Sequence, residues 1–367
     1  MATDAVFTFD EITWDAAQRR GMCFPTDRVA LALAADRRVG RLLICNQPRS
    51  APVKLVKDAL RRPAAFPATD RVHLYEPLRL RRRDPVSPAA LERAYARYGR
   101  RLRRAAEKRG LSRPAVVTAH PFVPAFADLD WAAHPAYERW RPAYLDAYER
   151  VARRRLRVCA VTQTIVERID PQGPAAVVPN GVDPEEWLAV GSPPGWLTRL
   201  PGPRFLYVGT LDSRLDVGAV LAVARAWRQG SVVLAGPIAD PDHLVRLHEE
   251  PNVHFPGPVP RDQVAALAHA ADACLVPHRR LPLTEAMSPL KIFEYMAGGG
   301  PVAATDLPPL RGIEGPLELV PPGGDFVAAV RAALARGPMS EAERQQFVAG
   351  NAWSRRTDQV LALALGE

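Results

Sequence analysis

Short apolar runs alternate with helical stretches along nearly the whole chain, and the alternation occurs twice. In the first half the runs Val6 to Phe9, Arg41 to Cys45, Val72 to Tyr75 and Ala115 to Ala119 are separated by helical stretches, one of them near Asp27 to Ala35. The second half restarts with Phe205 to Gly209, a helix over Asp216 to Trp227, Val232 to Ala235, Val253 to Phe255, a helix over Arg261 to Asp272, and Ala273 to Val276. Alternation of this kind predicts an α/β protein with parallel sheets covered on both faces, because a parallel crossover needs a helix to return the chain. Such sheets place ligands at the carboxyl ends of their strands. A length of 367 residues suits two domains. The junction is expected where V-V-P-N-G-V-D over Val177 to Asp183 is followed by a Pro- and Gly-rich stretch from Gly191 to Pro203. This gives one domain over 1–182 and a second over 183–351, with a C-terminal helix over about 352–367 packing back on the first.

Several classes are excluded. With 47% hydrophobic and 24% charged residues the chain is a folded protein, not a disordered tail or fibre. Cys23, Cys45, Cys159 and Cys274 form no C-x-x-C pair, so neither a zinc site nor a disulfide framework is expected. The start of the chain carries acids instead of a signal peptide's basic region, and no segment has the apolar length of a membrane span. A cytoplasmic protein is expected, with any membrane contact peripheral to the inner face. The G-x-G-x-x-G fingerprint of dinucleotide binding is missing from both halves.

The net charge of +9 sits in one place. Between Arg79 and Arg109 there are 12 Arg or Lys against three acids, and this excess of nine accounts for the whole. Leu91, Tyr95, Tyr98, Leu102 and Ala105 recur at helical spacing, while Arg93, Arg97, Arg100, Arg101, Arg104 and Lys108 fall elsewhere on the wheel. The plain reading is a solvated basic face with its apolar stripe in the core. The sharper one is a patch in 79–109 for anionic membrane or a phosphorylated acceptor. Nucleic acid is not expected as a partner, since no recognition motif or stacking platform accompanies the charge.

Ser288 to Gly298 carries the chemistry. Ser288 suits an N-cap, Pro289 the first helical position, and the glycines from 298 stop the helix. Its free N–H groups and positive dipole end make a site for a diphosphate. Lys291 falls in the first turn, where a cation opposes the dipole unless an anion binds. The chain has four lysines against 45 arginines, and Lys291 is the only lysine after Lys108. A compact ammonium kept here fits a point contact to phosphate oxygens. Glu294, three residues on, suits two ribose hydroxyls. The bland alternative is a surface Lys–Glu pair of about 0.2–0.5 kcal/mol.

The succession P-N-G-V-D, Y-V-G-T-L-D-S-R-L-D, L-A-G-P, F-P-G-P-V and S-P-L-K-I-F-E-Y-M-A-G-G resembles the C-terminal half of GT-B glycosyltransferases of the family-four type, over roughly Val177 to Thr305. The resemblance implies two Rossmann-like domains facing across a cleft, the C-terminal one holding a nucleotide-sugar donor and the N-terminal one an acceptor. It also implies retaining, metal-independent transfer to a hydroxyl, with no cofactor beyond the nucleotide-diphosphate sugar. Glu294 matches the second glutamate of the family's E-x7-E motif. The first would fall at Ala286, with Glu285 one position out of register. Thr210 and Leu215 occupy the usual places of a basic pair, leaving Arg214 as the nearest substitute, and backbone around Val259 matches the base-binding position. The catalytic candidates are thus Lys291, Arg214 and His120, a histidine at a strand's carboxyl end. Donor-binding candidates are Gly209, Thr210, Val259, Glu285, Ser288, Pro289, Leu290 and Glu294. Arg19, Gly21 and Asp130 are the acceptor candidates, and Asp128 and Trp131 would help shape that site. The acceptor itself stays open between a small metabolite, a polysaccharide unit and a lipid-linked sugar. Two rival readings stand beside transfer: a nucleotide-sugar epimerase of GT-B-like fold, and a non-catalytic scaffold that binds nucleotide sugar.

Overall fold

The computed structural model describes residues 2–10, 12–22, 24–61, 63–133, 136–137 and 145–367. The chain divides into two units, Met1–Pro179 with Arg356–Glu367, and Asn180–Arg355. The Pro- and Gly-rich stretch from Gly191 to Pro203 therefore lies inside the second unit.

The first unit is built on strands β1 (Thr3–Thr8), β2 (Val39–Cys45), β3 (Val72–Tyr75), β4 (Ala115–Thr118), β5 (Ala136–Tyr137), β6 (Arg157–Ala160) and β7 (Ala175–Val177). They form a parallel sheet in the order β3-β2-β1-β4-β5-β6-β7. Ala5, Phe7, Leu42 and Ile44 face one core with Trp14, Val29 and Leu33, while Val6, Leu43 and Val116 face another. This is the alternation of side chains across a strand with both faces covered. Val360, Leu361 and Ala364, from the helix Trp353–Leu365, fill the first of these cores.

Helix Pro88–Glu107 closes the other face with Tyr95, Tyr98, Leu102 and Ala105, whereas Leu91 is only half-buried. Arg93, Arg97, Arg100, Arg101, Arg104 and Lys108 are exposed, so the apolar stripe is core and the basic face is solvated. Cys45, Cys159 and Cys274 are buried thiols, and Cys23 lies outside the described residues.

The second unit has β8 (Arg204–Val208), β9 (Ser231–Ala235), β10 (Val253–Gly257), β11 (Ala273–Val276), β12 (Val302–Thr305) and β13 (Leu317–Val320). Its parallel order, β10-β9-β8-β11-β12-β13, reverses direction between β8 and β11. In open α/β sheets that switch point is where ligands bind, beyond the carboxyl ends of the strands. Among the described residues no helix is long and apolar enough to cross a membrane.

Candidate active site

At the switch point β8 runs into Gly209 and β11 into Pro277 and His278. The two following loops are tied together, since Asp216 N–H donates to the Pro277 carbonyl at 2.7 Å and Arg279 N–H to the Arg214 carbonyl at 2.8 Å. Gly209 has φ 150°, and a Cβ there would stand 2.8 Å from Lys291 Nζ. A Cβ on Gly236, at the end of β9, would stand 2.0 Å from the Gly209 carbonyl oxygen. Gly236 needs glycine for close approach to backbone, and Gly209 for its positive φ.

The helix carrying Lys291 runs Leu290–Ala297. Pro289, at φ −69° and ψ 114°, is its N-cap, and no side chain caps it. This corrects the expectation that Ser288 caps and Pro289 opens the helix. The extended ψ of Pro289 starts the helix one residue later, leaving Ser288 a loop residue whose carbonyl accepts from Asn180 Nδ2 at 2.7 Å. Asn180 belongs to the P-N-G-V-D run, so that motif anchors the loop entering this helix.

Lys291 is half-buried, yet its ammonium lies 3.7 Å from the centre of the Tyr207 ring and 3.4 Å from His278 Nε2. Burial, aided by the nearby Arg214 charge, depresses its pKa to about 7. His278 is 1% exposed, its Nε2 is also 3.4 Å from the Tyr207 hydroxyl, and its Nδ1 is buried without a partner. Burial, then the Lys291 and Arg214 charges, push it down to about 2, so it is neutral. Tyr207 also donates to the Thr210 carbonyl at 3.3 Å.

Arg214 is fixed by a bidentate pair with Asp212, Nε to Oδ1 at 2.9 Å and Nη2 to Oδ2 at 2.7 Å. Those hydrogen bonds raise its pKa and keep it charged. Burial works to raise the Asp212 carboxyl, but the Arg214 bonds outweigh it and the net shift is downward. Tyr207 and Asp212 lie inside the Y-V-G-T-L-D-S-R-L-D run but are given no role there, and His278 carries no signal in the sequence that sets it apart from ordinary loop residues.

Glu294 is 6% exposed and bonded to Arg261, which also holds Glu186 through Nη2 at 3.0 Å. Glu294 therefore pairs with Arg261, not with Lys291 as a surface couple. Burial raises its carboxyl even against the Arg261 charge. Arg261 opens the helix Arg261–Ala270, directly after the loop containing Val259, which is half-buried against the core of this unit. Nothing local in the sequence distinguishes Arg261 from the 44 other arginines.

Ala286 is fully buried, while Glu285, half-buried on the short helix Pro282–Ala286, lies 4.0 Å from Arg280. Leu290 is half-buried and Pro289 buried. Gly209, Thr210, Arg214 and Lys291 thus come together around Tyr207 and His278, Glu294 joins Arg261 one turn along the same helix, and Glu285 joins Arg280.

In the first unit His120 follows β4, 5% exposed and stacked on Tyr95 with centroids 5.3 Å apart. Its Nδ1 accepts from the Phe122 N–H at 3.2 Å, which leaves the proton of the neutral ring on Nε2, 3.4 Å from the Tyr95 hydroxyl. Arg19 pairs with Asp15, and Gly21 turns the chain after the helix Trp14–Arg19 with φ 79°. The neighbouring Arg20 is bidentate to the buried Asp27, at 2.8 and 3.0 Å. Asp130 is exposed, with its N–H donating to Asp128 Oδ1 at 3.0 Å, and the Trp131 indole donates to the Asp128 carbonyl at 2.9 Å.

A profile of the family described as Glycosyl transferases group 1 matches residues 202–336. A Bacillus subtilis (strain 168) protein named as a teichuronic acid biosynthesis glycosyltransferase, TuaH, is 28% identical over 137 residues, which are 35% of this chain and 34% of that protein. The match thus spans about a third of that relative's length. The sucrose-phosphate synthase structure from Thermosynechococcus elongatus superposes with TM-score 0.67 at 16% identity, covering 99% of this chain and 98% of that one. An E. coli structure described as trehalose-6-phosphate bound with UDP-2-fluoro glucose superposes with TM-score 0.69 at 12% identity over 98% of this chain and 99% of that one. Identities this low speak to fold alone. The chain has the GT-B fold, and the similarity to group 1 glycosyl transferases is confined to residues 202–336.

Proposed function

We propose that the chain is a cytoplasmic glycosyltransferase, moving a sugar from a nucleotide-diphosphate donor to a hydroxyl acceptor with retention and without a metal ion. The observation that carries this reading is the Lys291 ammonium, held at the first turn of a helix beside Gly209 with Arg214 near enough to depress its pKa. A cation so placed is strained in the free protein and relieved by an anion. The UDP-2-fluoro glucose bound by the E. coli neighbour supports the donor class.

In this reading the helix N–H groups, Lys291 and Arg214 stabilise the diphosphate as the anomeric C–O bond breaks and its electron pair leaves with the phosphate oxygen. The acceptor oxygen bonds to the anomeric carbon, and its proton passes to a diphosphate oxygen. Glu294, oriented by Arg261, takes the ribose hydroxyls, and the backbone near Val259 the base. We assign His120 to contact with the donor sugar and Arg19, Gly21 and Asp130 to acceptor binding. A thermal-shift panel of nucleotide sugars tests the donor site. At a hundred times its dissociation constant the right donor adds about 2.7 kcal/mol of stability, whereas a panel with no shift would refute the assignment.

A further inference from the structure

The helix Ala51–Leu60 leaves its apolar half uncovered. At about 100° per residue, Val53, Leu55, Val56, Ala59 and Leu60 occupy one half of the wheel and Lys54, Lys57 and Asp58 the other. None of its residues is buried, and Leu55, Val56 and Leu60 are 71%, 60% and 83% exposed. Uncovered apolar faces mark interaction surfaces.

Basic segments lie directly beside it. Arg49–Ser50, just before the helix, pairs in parallel with Leu78–Arg79. The chain then continues through Leu80 and Val86, 87% and 98% exposed, which bracket the exposed Arg81, Arg82 and Arg83. Arg101 donates to the Leu78 carbonyl at 2.9 Å, tying helix Pro88–Glu107 to the same strand. Apolar side chains that reach into solvent among arginines have the pattern of an interfacial surface, where the first enter the acyl boundary and the second meet headgroup phosphates. A nucleic acid would use the arginines but leave Leu55, Leu60, Leu80 and Val86 in water.

We propose that helix 51–60, the 78–87 segment and the outer face of helix 88–107 together form a docking surface for an anionic lipid bilayer. The surface is independent of the transfer reaction and stands or falls separately from it.

Sedimentation of the full chain with vesicles tests this. Vesicles of mixed phosphatidylcholine and phosphatidylglycerol bind it at low salt, phosphatidylcholine alone does not, and added salt weakens the binding. The triple change Arg81→Ser, Arg82→Ser, Arg83→Ser lowers affinity about a hundredfold. Leu55→Ser with Leu60→Ser lowers it about tenfold or more while the salt dependence persists. All five positions are exposed, so circular dichroism and Tm stay at wild-type values. Equal binding to both vesicle types, no binding to either, or wild-type affinity in both variants overturns the proposal. So does capture of duplex nucleic acid or of a soluble protein by this surface in place of the anionic vesicles.

Discussion

Positive charge occurs in two settings in this molecule, and they follow opposite rules. On helix 88–107 the arginines stand in water; in the Arg103–Glu107 pair the side chains are 51% and 56% exposed. Such charges are nearly free to keep, and their pairs add little to stability. In the second unit a single lysine is pressed against Tyr207 and His278, where burial opposes its charge, and Glu294 is a buried carboxyl group bonded to Arg261. Charge retained against a desolvation cost points to a site. The contrast teaches that the twelve cations of the basic segment say less about chemistry than one lysine in a pocket.

The largest expected effect comes from breaking the buried pair. Arg261→Gln leaves Glu294 without its partner and lowers stability by about 3 kcal/mol, the low end for buried pairs because the Arg261 side chain is 31% exposed; chemical denaturation measures it. An unchanged midpoint would place Glu294 among the cheap charges. Next, Lys291→Ala reduces sugar transfer about a hundredfold in steady-state assays, and wild-type turnover would remove the lysine from the chemistry.

The pH dependence sharpens the same contrast. With a folded-state pKa of about 7, Lys291 is charged below that pH and neutral above it. His278 stays neutral and Arg214 stays charged across this range. If the donor diphosphate requires the ammonium, its affinity is flat below about pH 7 and falls about tenfold per pH unit above it. Calorimetric titration between about pH 6 and 9 reads this slope, and the slope should vanish in Lys291→Arg. The smallest effect is Arg103→Ala on the exposed helix face, for which no measurable change in Tm is expected.

Much of this was legible along the chain because local patterns encode it. Four strands of the second sheet, β8 to β11, fall within a residue or two of the apolar runs that announce them, whereas β12 and β13 are not among the runs singled out, and all of the helix 88–107 stripe but the half-buried Leu91 is buried as its spacing requires. Lys291 stands out by composition in a chain that otherwise uses arginine. The Ser288 cap does not form although a serine before a proline satisfies the usual cap preference, because the backbone angle of Pro289 decides where helical geometry begins. Helix 51–60 gives no sign of being a surface in the sequence, since an amphipathic period looks the same whether its apolar half is packed or bare.

The order of apolar and polar residues therefore determined the two parallel sheets, their helices and the lysine at a helix start, because periodicity and turn chemistry act between near neighbours. Only the tertiary structure decided that Arg261 rather than Lys291 meets Glu294, that His278 and Tyr207 enclose the ammonium, and that Leu55 and Leu60 stay in solvent. Those outcomes depend on which distant elements pack together, and burial, which sets the cost of every charge, exists only once they have.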